Sequence, residues 1–177
     1  MPEDNPGARF AVVSDCASDH EQREGRPVVG PAGNLFTQMM SSAGAKRKDV
    51  HWNMVALCRP PDNDMGRLVE RIRKANQKIT RENSERKKAG LDALPLELTP
   101  AECCAPRLWR DLSKFENFIA VGGMATRALV HATASVMGIR GAPTEVTSSG
   151  GPSRSCPSCT PRSLFGRSGG GTFSRTT

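Results

Sequence analysis

Apolar residues in this chain come in short runs separated by polar and glycine-rich stretches. Phe10-Ala11-Val12-Val13 gives way to small and polar residues, the pattern of a buried strand entering a loop that runs from Ser14 to Ala32. After Gly33, the residues Leu35, Phe36, Met39 and Met40 recur at helical spacing until Gly44, which predicts a helix of about three turns. Val50 to Leu57 predicts a second strand, and Cys58-Arg59-Pro60-Pro61 ends it because paired prolines cannot continue a ladder. From Gly66 to Gly90 the chain reads as a solvated basic helix, anchored only by Leu68, Ile72 and Ile79. Thr99-Pro100-Ala101-Glu102 pairs a capping box with proline at the first helical position, so a helix starts there, with Cys104, Leu108, Trp109 and Leu112 on its apolar face. Asn117 to Val121 predicts a third strand, which Gly122-Gly123 turns into a helix running through Met124, Leu129, Val130 and Met137. No internal repeat is visible.

This alternation predicts an α/β fold, a three-layer αβα sandwich around a central, mostly parallel sheet. Ligands of such sheets bind at the carboxyl ends of the strands, so the loops after Val13, Leu57 and Val121 are where chemistry is expected. Composition changes near Gly141: Pro143 to Thr177 is dominated by Ser, Gly, Thr, Pro and Arg, and reads as a low-complexity, disordered tail. The expected organisation is a folded unit over 1–142, with a basic helical insertion at 62–98, and a tail over 143–177.

The chain's 177 residues suffice for one domain with a real core, and exclude two independent catalytic domains. Lys and Arg exceed Asp and Glu by 25 to 18, a formal +7 that points to a polyanionic partner. The tail supplies +3 of it, through Arg154, Arg162, Arg167 and Arg175 against Glu145. No run approaches the roughly 18 apolar residues of a membrane span. The start Met1-Pro2-Glu3-Asp4 lacks a signal-peptide pattern, so a cytoplasmic, monomeric protein is expected. In that setting the six cysteines are thiols or metal ligands rather than a disulfide framework.

The segment Glu24-Gly25-Arg26-Pro27-Val28-Val29-Gly30-Pro31-Ala32-Gly33-Asn34-Leu35 resembles the G-R-P-F-V-G-x-A-G-x-L signature of the uracil-DNA glycosylase superfamily, and looks most like its family 4, the iron-sulfur branch. Cys58-Arg59-Pro60-Pro61 matches that family's C-R-P-P. Cys104-Ala105-Pro106-Arg107-Leu108 is similar to its C-R-P-x-L, and Phe118 to Leu129 to the strand, glycine turn and helix that follow. Ile139-Arg140-Gly141 looks like the arginine-glycine before the family's last strand. The pieces cover about residues 8 to 142 in the family's order.

The resemblance implies base excision repair: hydrolysis of the bond between uracil and deoxyribose in DNA, with the base flipped into a pocket. Such chemistry needs a carboxylate to position water and stabilise a cationic sugar, and donors for the departing base. By the resemblance Glu21 is the first candidate for that carboxylate and Asp15 the second. Gly25, Gly30 and Gly33, with Arg26, Pro27 and Arg59, are expected along the flipped nucleotide. Val28 stands where the family places a stacking Phe. Met54 falls at the family's uracil-reading Asn, with Asn53 one position early, so Asn53 reaches the site only if a bulge re-aims it. The resemblance also implies a 4Fe-4S cluster. Cys58 and Cys104 match two of its four ligands, and no Cys-x-x-Cys precedes the first strand here to supply the rest.

The family closes with a His-Pro-Ser motif that this chain lacks, its histidines being His20, His51 and His131. With Cys encoded as TGC and C or G in the free third positions, reading Cys156 to Pro161 one base out of frame gives Leu-Pro-Val-Leu-His-Pro, which predicts a frameshift between about Gly141 and Ser155. The Cys156-x-x-Cys159 pair, otherwise suggestive of zinc, is then a by-product of the shift. Three functional classes follow: a uracil-DNA glycosylase, a catalytically inactive DNA-binding relative or fragment of one, and a generic nucleotide-binding domain. The last ranks lowest because no Walker or G-x-G-x-x-G loop is present.

Overall fold

The computed structural model describes residues 2–141, 143 and 144, so Cys156, Cys159 and the shifted-frame segment lie outside the described residues. Three strands, β1 (Ala11–Cys16), β2 (His51–Ala56) and β3 (Phe118–Val121), form a parallel sheet in the order β2-β1-β3. Val12 stands opposite Trp52 and Ile119, and Val13 opposite Asn53 and Ala120.

Alternation along β1 sends neighbouring side chains to opposite layers. Ala11 and Val13 join Val55, Leu108, Leu112, Ala125 and Leu129 on one face, under α4 (Pro100–Leu112) and α5 (Gly123–Leu129). Val12 joins Val28, Met40, Val50 and Trp52 on the other, under α2 (Gly30–Ser42). This is the expected αβα sandwich; fully burying each such Val, Leu or Met contributes about 1.5–3 kcal/mol.

Two elements depart from the sequence expectation. A short helix, α1 (Asp19–Glu24), lies inside the expected 14–32 loop, because Ser18 and Glu21 form a capping box. The helix expected to run from Gly123 to Met137 stops at Leu129, and the chain turns before a further short helix, α6 (Val136–Ile139).

Among the described residues β2 is an edge strand, and its outer edge is closed group by group. Trp52 exchanges two backbone hydrogen bonds with Glu3, at 2.9 and 3.1 Å. The Met54 N–H donates to Asn53 Oδ1 at 2.8 Å, and the Met54 carbonyl accepts from the Arg107 guanidinium. Arg107 also donates to Asn53 Oδ1 at 2.6 Å and to the Val55 carbonyl at 3.2 Å. An edge that would otherwise template strand addition is thereby capped from α4.

The basic segment forms α3 (Met65–Lys88), a helix of 24 residues with only Ile72 buried. The chain returning from it is clipped to one side of the helix by two asparagines. Asn83 exchanges hydrogen bonds with the backbone of Leu94 at 2.9 and 2.6 Å, and Asn76 does the same with Glu97 at 2.8 and 2.8 Å. The repeats match: seven helical residues rise about 10.5 Å and three extended residues span about 10 Å. Among the described residues no helix is long and apolar enough to cross a membrane.

Candidate active site at the carboxyl ends of the strands

Asp15 is the penultimate residue of β1, and its side chain reaches across to the turn after β3. Its Oδ1 accepts the Ala125 N–H at 2.8 Å, in the first turn of α5. Oδ2 has no protein partner among the described residues. Gly122 makes the seat: it adopts φ +111, and a Cβ there would overlap the Asp15 carboxylate. A glycine is therefore required both for the backbone and for the contact.

Glu21 is differently placed. Its Oε2 accepts the Ser18 N–H at 2.9 Å and the Ser18 hydroxyl, and its Oε1 accepts the Val29 N–H at 3.0 Å. The residue is 8% exposed. Burial pushes its pKa up, but the hydrogen bonds from Ser18 and Val29 outweigh burial and hold the carboxyl below its ordinary range. One oxygen caps the start of α1, and the other holds the backbone that joins α1 to α2. Asp15 offers an open oxygen, whereas Glu21 holds the loop.

Two thiols share this end of the sheet. Cys16 closes β1, and burial, followed by the charges of Asp15, Cys58 and Glu21, pushes its pKa up to about 11. Cys58 follows β2. The structure therefore brings Asp15, Glu21 and Cys58 within electrostatic reach of Cys16. Arg59 stands beside them, bridging Asp19 of α1 at 3.0 Å and donating to Asn63 at 2.8 Å.

Other expected site residues are placed elsewhere. Val28 has φ +51, a left-handed conformation unusual for a β-branched residue, and its side chain packs in the core with Met40, Val50 and Trp52. Arg47 clamps this turn: it lies 4.4 Å over the Trp52 ring and donates to the carbonyls of Pro27 at 2.6 Å and Val28 at 3.1 Å. Arg26 pairs with Glu3 at 3.2 Å. Gly33 backs onto the Val28 carbonyl, where a Cβ would overlap it, so its close approach is to the protein's own turn. Gly25 is the left-handed cap of α1, and Gly30 lies against the His20 ring.

Asn53 does not reach the site. β2 pairs without a bulge, and the Asn53 amide is held at the strand's outer edge by Arg107 and by His51 Nε2 at 3.3 Å. The amide donates there, so His51 Nδ1 carries the hydrogen that faces Asp4 at 3.2 Å.

Cys104 is buried in α4. Among the described residues no group of three or more His, Cys, Asp or Glu stands where it could hold a metal ion. Cys58 and Cys104 thus remain half a ligand set, and the described residues do not fit a four-iron cluster.

The seat at Gly122 and the clamp at Arg47 are the functional contacts that motif reading misses. A Gly-Gly pair after a strand signals the first, but its partner is set by strand order. No local signal marks Arg47.

The family model of the Uracil DNA glycosylase superfamily matches residues 1–168. Over 59 residues the chain is 41% identical to the Type-4 uracil-DNA glycosylase of Archaeoglobus fulgidus, covering 33% of this chain and 30% of that one. Over 61 residues it is 39% identical to the Type-4 uracil-DNA glycosylase of Thermotoga maritima, covering 34% of this chain and 32% of the relative. The matched stretches span about a third of the length of these relatives. With its sheet order, its site at the strand ends and the motifs that line them, the chain belongs to the uracil-DNA glycosylase superfamily.

Proposed function

We propose that this protein hydrolyses the N-glycosidic bond of uracil in DNA, as a base excision repair glycosylase whose folded unit is 1–142. The observation that carries the reading is the Asp15 carboxylate, fixed through Oδ1 to the Ala125 N–H with Oδ2 left open. A carboxylate so held can orient a water toward the anomeric carbon and accept its proton. Its negative charge also stabilises the positive charge that builds on the sugar as uracil leaves. Glu21 acts as a positioning residue, keeping Val29 and the turn that follows α1 in place. No step is assigned to iron, because the described cysteines make no complete set.

The test is release of uracil from single- and double-stranded oligonucleotides, read as strand scission after alkaline treatment of the abasic site. Asp15→Asn should lower the rate about 10²–10⁴-fold, the usual contribution of a positioned base. Wild-type protein that binds the oligonucleotide and releases nothing overturns the reading. The second reading, a non-catalytic DNA-binding relative, then takes its place. It is favoured by Val28 lying in the core and by Asn53 lying at the strand edge, which leaves neither to stack on nor read a base.

A further inference from the structure

The face of α3 opposite the asparagine clip carries five cations in consecutive turns. Arg67, Arg71, Lys74, Lys78 and Arg81 follow one another at spacings of four, three, four and three, which at 3.6 residues per turn lays them in one stripe. All five are exposed, and Arg67, Arg71, Lys74 and Lys78 border, with Glu70 and Ala75, a shallow groove of about 520 Å³ along the helix. Asn76 and Asn83, which hold the returning chain, lie half a turn away, so the stripe faces solvent.

The acids of α3 leave most of this charge uncompensated. Glu70 pairs with Arg73 at 2.7 Å and with Lys74 at 3.7 Å, and Glu85 with Lys88 at 3.0 Å. Asp62 lies 3.8 Å from Arg67. Among the described residues Arg71, Lys78 and Arg81 have no carboxylate within ion-pair distance. A helix that is merely solvated gains from alternating signs, whereas like charges three and four apart destabilise it by about 0.2–0.5 kcal/mol per pair. With nine Lys or Arg against three Glu, the segment from Gly66 to Gly90 is net +6, whereas the rest of the chain outside the tail is net negative. A stripe of five cations, three of them without an ion pair among the described residues, is self-repelling and complementary to a linear polyanion.

We propose that the α3 stripe is a second nucleic-acid surface, which lies along the phosphate backbone of duplex DNA beside the site at the strand ends. Five residues over about 21 Å of helix cover roughly six phosphates of one strand at 3.4 Å each. Contact is to phosphate and carries no sequence preference. The inference takes its choice of polyanion from the glycosylase reading, but its test does not require excision.

Binding of the full chain to a uracil-free duplex is measured by fluorescence anisotropy between 50 and 300 mM salt. Arg71→Gln, Lys78→Gln and Arg81→Gln are combined in one variant, since glutamine keeps helix propensity and these residues break no ion pair. Losing three phosphate contacts should flatten the slope of log affinity against log salt by about 2.7 and weaken binding at 0.1 M roughly 10²-fold. Arg71→Lys with Arg81→Lys keeps the charge and should bind as wild type. A body variant, Arg9→Gln with Lys48→Gln and Arg110→Gln, should keep the slope. An unchanged slope in the stripe variant overturns the proposal, as does an equal loss in the body variant. Loss in the lysine variant also overturns it, because charge is then not what binds. A chain that shows the slope change yet releases no uracil keeps this surface and loses the glycosylase reading; excision with an unchanged slope does the reverse.

Discussion

Replacing Glu21 with Gln tests whether this buried carboxylate holds the backbone in place. Three donors converge on it: the Ser18 N–H, the Ser18 hydroxyl and the Val29 N–H. Gln retains one acceptor oxygen, so its amide N–H₂ must face either Ser18 or Val29, donor against donor. An unpaired donor next to a formerly charged acceptor costs about 1.5–3 kcal/mol. The remaining bonds fall from charge-assisted to neutral, which removes about 1 kcal/mol more. Glu21→Gln should therefore lose about 3 kcal/mol at pH 7. The loss depends on pH with a definite sign. Hydrogen bonds from Ser18 and Val29 outweigh burial and depress the folded pKa, so the stability contributed by the ionised form is fully present above the unfolded value of about 4.3. It is lost as pH falls from there through the folded pKa, at most about 1.4 kcal/mol per pH unit. The gap between wild type and variant should therefore close in acid. Urea unfolding followed by the fluorescence of the fully buried Trp52, at pH 7 and stepwise down to 3.5, measures both quantities. A variant within about 0.5 kcal/mol of wild type at pH 7, or a gap that stays constant in acid, would refute the clamp.

Gly122→Ala forces a Cβ onto the Asp15 carboxylate at a left-handed φ, so it should lower stability by about 2 kcal/mol and abolish uracil release; paired unfolding and excision assays check it, and retained excision would contradict the assigned seat. Arg107→Met strips donors from the Met54 and Val55 carbonyls and from Asn53, and should cost about 3 kcal/mol in urea unfolding; a loss under about 1 kcal/mol would mean the β2 edge is closed by something else. Cys16, with its thiol pushed up to about 11, should alkylate roughly 10²-fold more slowly at pH 8 than an ordinary cysteine. Peptide mass spectrometry after a timed iodoacetamide pulse gives the ratio, and labelling at the ordinary rate would show that the thiol is not shielded.

Elements whose signals are local were readable from the residues. The capping box at Thr99, the paired prolines after Cys58 and the long basic run each act within a few residues, and β2, α3 and α4 lie where those signals put them. Helix α1 carries the same kind of signal in Ser18-x-x-Glu21, but both residues fall where family likeness suggests chemistry, and the cap goes unread. Asn53 and Val28 were not legible for a different reason. What turns Asn53 to the strand edge is Arg107, 54 residues on, and what holds Val28 in a left-handed turn is Arg47, 19 residues on. The pairing of Asp15 with the turn at Gly122 depends on β3 lying beside β1, a matter of sheet order that no stretch of sequence records.

The asparagine clip on α3 sets how that part of the molecule responds to thermal fluctuation. Its attachment rests on the four hydrogen bonds of the two asparagines, one from Arg86 to the Asp92 carbonyl and one buried isoleucine, whereas the sheet is closed by apolar layers on both faces. Opening the clip exposes little apolar surface, so its free energy lies well below that of global unfolding. Amide hydrogens of α3 should therefore exchange as one early cooperative group while those of β1 stay protected. Ligation of the cationic stripe by a polyanion would slow that early group alone, coupling occupancy of the stripe to local order 24 residues long without any change in the sheet.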